Sequence, residues 1–224
     1  LKIPNGVSYS FAGNYEQQVR TKDRLMIVVP IALILIFLIL YFHFKSATTS
    51  LLVFSGVFLA FSGGFIMIWL YGQDWFMNFD FFGTNMRELF QMKRIDMSVA
   101  VWVGFLALFG IATDDGVLVG TFLKNSFKEN QPKNIEGIRN AVVEGGKRRV
   151  RPAMMTTATT ILALLPILTS TGRGSDIMIP MAIPSFGGMV LNVITMFTVP
   201  VLYCFWQEWK FRLNTNSNKS LQNG

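Results

Sequence analysis

VAVWVGFLALFGIATDDGVLVGTFL, residues 99–123, decides how the rest of this chain is read. With Met97 and Ser98 before it, the run 97–123 carries no charge except two adjacent acids, Asp114 and Asp115. About 20 apolar residues suffice to cross a bilayer as a helix. Two aspartates near the centre of such a helix oppose insertion by roughly 5 to 7 kcal/mol, and the Leu, Ile, Val and Phe residues of the run return roughly 4 to 8 kcal/mol. Insertion is therefore close to break-even, which points to a role for the pair beyond filling space. Ionisable groups at membrane depth mark ion paths and proton relays.

At 1.5 Å per residue, Asp114 falls roughly 6 Å from the middle of the run. Ala112, Gly116 and Gly120 recur every four residues and share one helix face. Small residues at that spacing admit a neighbouring helix, so the acids are expected to face protein rather than lipid. Adjacent helical positions diverge by about 100°, so the two acids are expected to meet different neighbours.

Composition agrees with a membrane protein. Of 224 residues, 51% are hydrophobic and 15% charged, against about 25% charged in soluble domains. The net charge of +7 sits on no visible soluble fold, so a nucleic-acid-binding face is not expected. The one cysteine, Cys204, leaves no internal disulfide and no cysteine-cluster metal site. A lone His43 without a nucleophile constellation offers no catalytic centre, so neither an enzyme nor a cofactor is expected. The chain opens at Leu1 on polar sequence, and the expectation is part of a longer polypeptide or the product of a truncated gene.

Uncharged runs bounded by charges place five membrane helices at about 25–43, 49–72, 97–123, 152–169 and 179–206. Prolines 30, 166, 180, 184 and 200 fall inside or beside them. Membrane bundles tolerate these because neighbouring helices and hydroxyls satisfy the freed backbone groups. Five spans put the chain ends on opposite sides. One side holds Lys45, the loop 124–151 and the tail 210–224, with 12 basic residues; the other holds 8. Lys and Arg favour the cytoplasmic side, so loop 124–151 and the C-terminus are expected there. The N-terminal segment and the loop 73–96 then face outward.

That outward loop carries Trp75, Phe76, Phe79, Phe81, Phe82 and Phe90. Aromatic residues gather at the membrane interface, and a helix in the headgroup layer is expected. Its methionines, Met77, Met86 and Met92, with Met97 at the next span, could bind soft Cu(I) or Ag(I). Irregular spacing in an amphipathic stretch favours packing instead. In the cytoplasmic loop, NIEGIRNAVVEG reads as a short helix whose basic end, KRRVRP, enters the fourth span. In that span Thr156 and Thr160 share a face, with Thr157 and Thr159 nearby. Threonines in membrane helices often bond their own backbone; a relay needs one, Thr156, turned toward the acids.

These motifs carry a resemblance. GNYEQQVRTKDRL, followed by an apolar span ending YFHFKS, resembles the entry into the second membrane half of resistance-nodulation-division (RND) permeases. Residues 99–123 resemble their tenth helix, and EGGKRRVRPAMMTTATTILALLPILTSTGRGSDIMIPMAIPSFGGMV, residues 144–190, their eleventh and twelfth. The RxRP entry, MT pair, LLP exit, STGxGS turn and PxxGGM element occur in order. The GSDIM turn and the acid in the tenth helix are most similar to the heavy-metal efflux branch.

The resemblance implies an all-α membrane protein whose five spans match helices eight to twelve of a twelve-helix permease. Residues 1–23 would end a periplasmic porter domain, 24–209 would form the membrane domain, and 210–224 a cytoplasmic tail. It further implies an inner-membrane proton antiporter for heavy-metal cations, either Cu/Ag or Zn/Co/Cd. Such a pump works as a homotrimer joined to a periplasmic adaptor and an outer-membrane channel. A pump for organic compounds and a truncated, non-transporting subunit are the alternative readings. By position, Asp114 matches the tenth-helix relay residue, Thr156 a relay threonine, and Met178 a methionine on the metal path. Ala153 stands where copper exporters have a lysine, and Asp115 where the family is usually neutral. The counter-charges of the acid pair are therefore expected in the other membrane half.

Overall fold

The computed structural model describes residues 14–81, 83–132 and 134–222, with side chains over 24–213 of that range. Five long helices are apolar enough to cross a membrane. They are α1 (Asn14–Phe44), α2 (Ala47–Tyr71), α4 (Val99–Asn130), α5 (Ile135–Leu168) and α6 (Ser175–Gln222). A two-residue hairpin, β1 (Asp80–Phe81) with β2 (Thr84–Asn85), and the single-turn α3 (Met86–Leu89) lie between α2 and α4.

Helix α6 runs through the middle of the bundle, packed on α2, α4 and α5, while α1 lies on α2 and α4. The approach is close because small residues line the crossings. A Cβ added to Gly63 of α2 would sit 2.7 Å from the Gly187 carbonyl of α6, and one added to Gly104 of α4 would strike the Met181 carbonyl. Around these contacts Val57, Ala60, Phe105, Leu108, Phe109 and Met189 form a fully buried core. Phe105 packs against Phe61 and Phe65 at ring-centroid distances of 4.8 and 4.7 Å. The Ser185 hydroxyl donates to the Gly104 carbonyl at 3.0 Å, joining α6 to α4.

Two elements differ from the sequence reading, and the first and last helices run beyond the expected spans. Residues 1–13 of the expected porter-domain end lie outside the described residues, and from Asn14 the chain is already helical and continuous with α1. The short helix expected before the fourth span is not separate, because α5 continues through Pro152 as one helix of 34 residues. Its inner face runs from Ile138 through Gly145 and the largely shielded Arg149 to Ala153 and Thr157. Tertiary packing thus holds the helix across a residue that removes one backbone bond. The connection from α4 is correspondingly short, with Gln131 left-handed at the α4 C-cap and Asn134 accepting from the Gly137 amide at 2.8 Å.

The aromatic loop forms no helix beyond the single turn α3. Gly83 at φ +78° closes the hairpin, and Met77 and Gln91 also adopt positive φ, which interrupts any regular helix. Arg87 ties the loop back to Asp74 at 2.9 Å, Gln91 donates to the Ser170 carbonyl, and Met92 is buried with Tyr71, Leu168 and Ile179. The loop caps one end of the bundle while Trp75, Phe79 and Phe81 remain exposed. Finally, α6 extends to Gln222, so the segment expected as a polar tail continues the last helix.

Candidate functional site

The two acids of α4 part company. Asp115 is buried among α4, α5 and α6, whereas Asp114 is exposed on the outer side of α4. A 100° rotation per residue is enough to place one carboxylate in the bundle and its neighbour outside it.

Asp115 is fully engaged. Arg149 Nη2 of α5 donates to its Oδ1 at 3.0 Å, and Asn192 Nδ2 of α6 donates to its Oδ2 at 2.7 Å. The Asn192 amide oxygen in turn accepts from the Thr195 hydroxyl at 2.8 Å. The side chains of Arg149 and Asp115 are 12% and 6% exposed, so the pair is shielded from water. Burying two ions costs several kcal/mol each, which only close pairing with added hydrogen bonds repays. Asn192 supplies that bond on the acid, while Arg149 Nε stays without a partner among the described residues. The cluster joins three helices at one point.

Asp114 makes no hydrogen bond or ion pair among the described residues. Its face of α4 continues exposed through Val103, Ala107 and Gly110 on one side, while on the other it reaches Thr121, which is half-buried and 3.1 Å from His43 of α1. A Cβ added at Gly110 would meet nothing within 4 Å. The small residues Gly116 and Gly120 lie on a different face, beneath Val53 of α2 and Phe44 of α1, and Ala112 is buried in the α2–α4 core.

Of the threonines, Thr156 is exposed and donates to the Pro152 carbonyl of its own helix at 3.1 Å. It makes no hydrogen bond with Asp115. Thr157 is the inward one, 1% exposed, with its hydroxyl unpartnered among the described residues. Met178 lies half-exposed in the first turn of α6. No group of three His, Cys, Asp or Glu side chains is arranged to hold a metal among the described residues. Met92 is a packing residue in the loop's small core, with Met77 against it.

Comparison with known proteins adds the family. The sequence profile of the AcrB/AcrD/AcrF family matches residues 1–80 and 89–207. The chain belongs to this family. Its relatives include CusA, a cation efflux system protein of Escherichia coli K12, 33% identical over 210 residues, and CzcA, a cobalt-zinc-cadmium resistance protein of Cupriavidus metallidurans, 31% identical over 204. Each alignment covers 91% of this chain but only 18% and 17% of the relative, so the chain spans less than a fifth of their length. The fold matches the crystal structure of a heavy metal efflux pump with a TM-score of 0.63 at 28% identity, over 91% of this chain and 18% of the pump. Within the RND permeases it therefore stands with the heavy-metal efflux branch.

Set within this family, the acid pair reads differently than from sequence. The counter-charge of Asp115 was expected outside the chain; it is Arg149, inside it. The sequence placed Arg149 among the basic residues of loop 124–151, where it served only for orientation. Asn192, the one amide between 177 and 206, was the overlooked signal. Ala153, where the resemblance expects a lysine, is fully buried on the inner face of α5.

Proposed function

We propose that this chain forms the second membrane half of an inner-membrane, proton-driven permease exporting heavy-metal cations, with Asp114 as its proton-exchanging group. One observation carries the reading. Of two adjacent carboxylates at membrane depth, one is neutralised within the chain by Arg149 and Asn192, and the other is left without an internal partner on the outer side of α4. An ionisable group in that position marks an ion or proton path. Asp114 takes up and releases a proton at its carboxylate, and the charge change alters how α4 meets the element covering its face. Asp115 holds Arg149 in place and keeps the three-helix junction rigid while Asp114 exchanges its proton. Thr156, also exposed, offers a hydroxyl on the neighbouring helix, and Met178 a thioether for a soft cation at the opposite end of α6's membrane path.

The same reading puts the α4–α5 connection in the cytoplasm and the aromatic loop outside. It also assigns this chain the partners of such a pump, namely two further copies, a periplasmic adaptor and an outer-membrane channel. The names of CusA and CzcA support metal cations as cargo. In the complete permease, Asp114→Asn is expected to abolish proton-driven metal efflux from proteoliposomes while assembly, read by size-exclusion chromatography, stays normal. Undiminished transport by that variant refutes the assignment. Unchanged cellular tolerance to copper, silver, zinc and cobalt on deleting the gene would refute metal as the cargo.

A further inference from the structure

A groove of about 1080 Å³ runs between α5 and α6 on the bundle's outer surface. That lies just above the roughly 300–1,000 Å³ typical of ligand pockets. From Arg139 to Met155 it follows α5 for about 24 Å. Its walls are apolar, formed by Val150 and Met154 of α5 and Phe197, Val201 and Phe205 of α6. Three cations line it, Arg139, Lys147 and Arg151, together with one acid, Glu208, which Arg139 neutralises at 2.6 Å.

The basic cluster divides according to where each side chain points. Arg148 is paired with Glu129 and Glu144, Arg149 with Asp115, and Arg139 with Glu208. Lys147 and Arg151 are exposed and have no ion-pair partner among the described residues. They are four residues apart on one helix face, where like charges repel by a few tenths of a kcal/mol unless an anion lies between them. Their depth follows from the sequence of α5, whose uncharged run begins at Pro152, directly after Arg151, while Trp206 and Trp209, edge to face at 5.4 Å on α6, flank the Glu208 that pairs with Arg139 at the charged end. The cations thus stand at headgroup level, with the apolar walls continuing toward the hydrocarbon.

We propose that this groove is a binding site for an anionic phospholipid, its phosphate held between Lys147 and Arg151 and an acyl chain laid along Val150, Met154, Phe197 and Val201. Basic pockets between membrane helices recognise anionic headgroups in this way. A protein helix in the same groove would have to bring acids to meet both cations. The lipid needs only the phosphate it already carries. The site depends on the membrane placement of α5 and α6 and not on transport or proton coupling, so its test stands apart from that of Asp114.

Each near-surface cation favours anionic over neutral lipid roughly fivefold, so the pair gives about 30-fold. The protein, purified and reconstituted in phosphatidylcholine mixed with phosphatidylglycerol, is expected to retain phosphatidylglycerol with that order of enrichment, measured by mass spectrometry of bound lipid. Lys147→Gln with Arg151→Gln is expected to return the ratio to parity. Val201→Trp, which fills the groove and leaves the charges intact, is expected to expel the lipid. Cys204 lines the groove and supplies a second readout. Its alkylation by a bilayer-permeant maleimide, followed on its own peptide, is expected to slow when phosphatidylglycerol is present. Parity in the unaltered protein, or enrichment that survives both variants, overturns the proposal. Uniformly slow alkylation in every bilayer also overturns it, because protein then covers the groove.

Discussion

Replacing Arg149 by methionine tests the buried cluster directly. The substitution keeps much of the side-chain volume but strips Asp115 of its cation, leaving a carboxylate 6% exposed with only the 2.7 Å bond from Asn192. Breaking one side of a buried ion pair costs roughly 3 to 5 kcal/mol. Asp115→Asn is expected to cost less. The new amide still fits beside Asn192 and Thr195, and the long arginine can turn its head toward the membrane surface. The double variant removes both charges, and buried pairs replaced by neutral groups are often close to neutral in stability. It should therefore recover most of the loss of Arg149→Met, giving a coupling on the order of 2 to 4 kcal/mol between the sites. Thermal unfolding in detergent, with the two single variants and the double run side by side, reads this out. At about 2 to 4 °C per kcal/mol for a chain of this size, Arg149→Met should lower the midpoint by roughly 6 to 20 °C. An unchanged midpoint, or a double variant that is as destabilised as the sum of the singles, would refute the buried pair as the junction of α4, α5 and α6.

Two further outcomes follow from the packing. Gly187→Val drives a side chain into Met67 and the Gly63 carbonyl at the α2–α6 crossing; it should cost 1 kcal/mol or more by overpacking, about the 1 to 3 kcal/mol usual for that effect, and lower the yield of folded protein on size-exclusion chromatography. Thr157→Val removes a buried hydroxyl that has no partner among the described residues, so stability should hold or rise by up to about 1 kcal/mol; a clear fall in the unfolding midpoint would mean the hydroxyl is bonded.

Much of the architecture was legible in local chemistry. Five apolar runs bounded by charges are enough to define five spans, since water penalises so much exposed apolar surface and the bilayer admits the backbone only with its polar groups paired, as in a helix. What local chemistry misjudged was continuity. Pro152 and the charged stretch 124–151 read as a break, yet the inner stripe from Ile138 to Thr157 keeps α5 whole, because helix packing outweighs one lost backbone bond. The aromatic loop was misjudged in the opposite sense. Its apolar content resembles an amphipathic helix, but the positive φ at Met77, Gly83 and Gln91 folds it back over Tyr71 and Leu168.

The acid pair marks the boundary between the two kinds of information. That Asp114 and Asp115 lie at membrane depth, point in different directions and belong to a chain with the motifs of an RND permease follows from residue order alone, because helical geometry and insertion cost are local properties. Which acid is buried, and by what it is balanced, is not local. Arg149 stands 34 positions from Asp115, and Asn192 stands 77. They meet only because α4, α5 and α6 pack at small-residue crossings that set the depth of each helix against the others. The burial of Asp115 against a cation from its own half, and the exposure of Asp114 on the outer side of α4, are consequences of that packing.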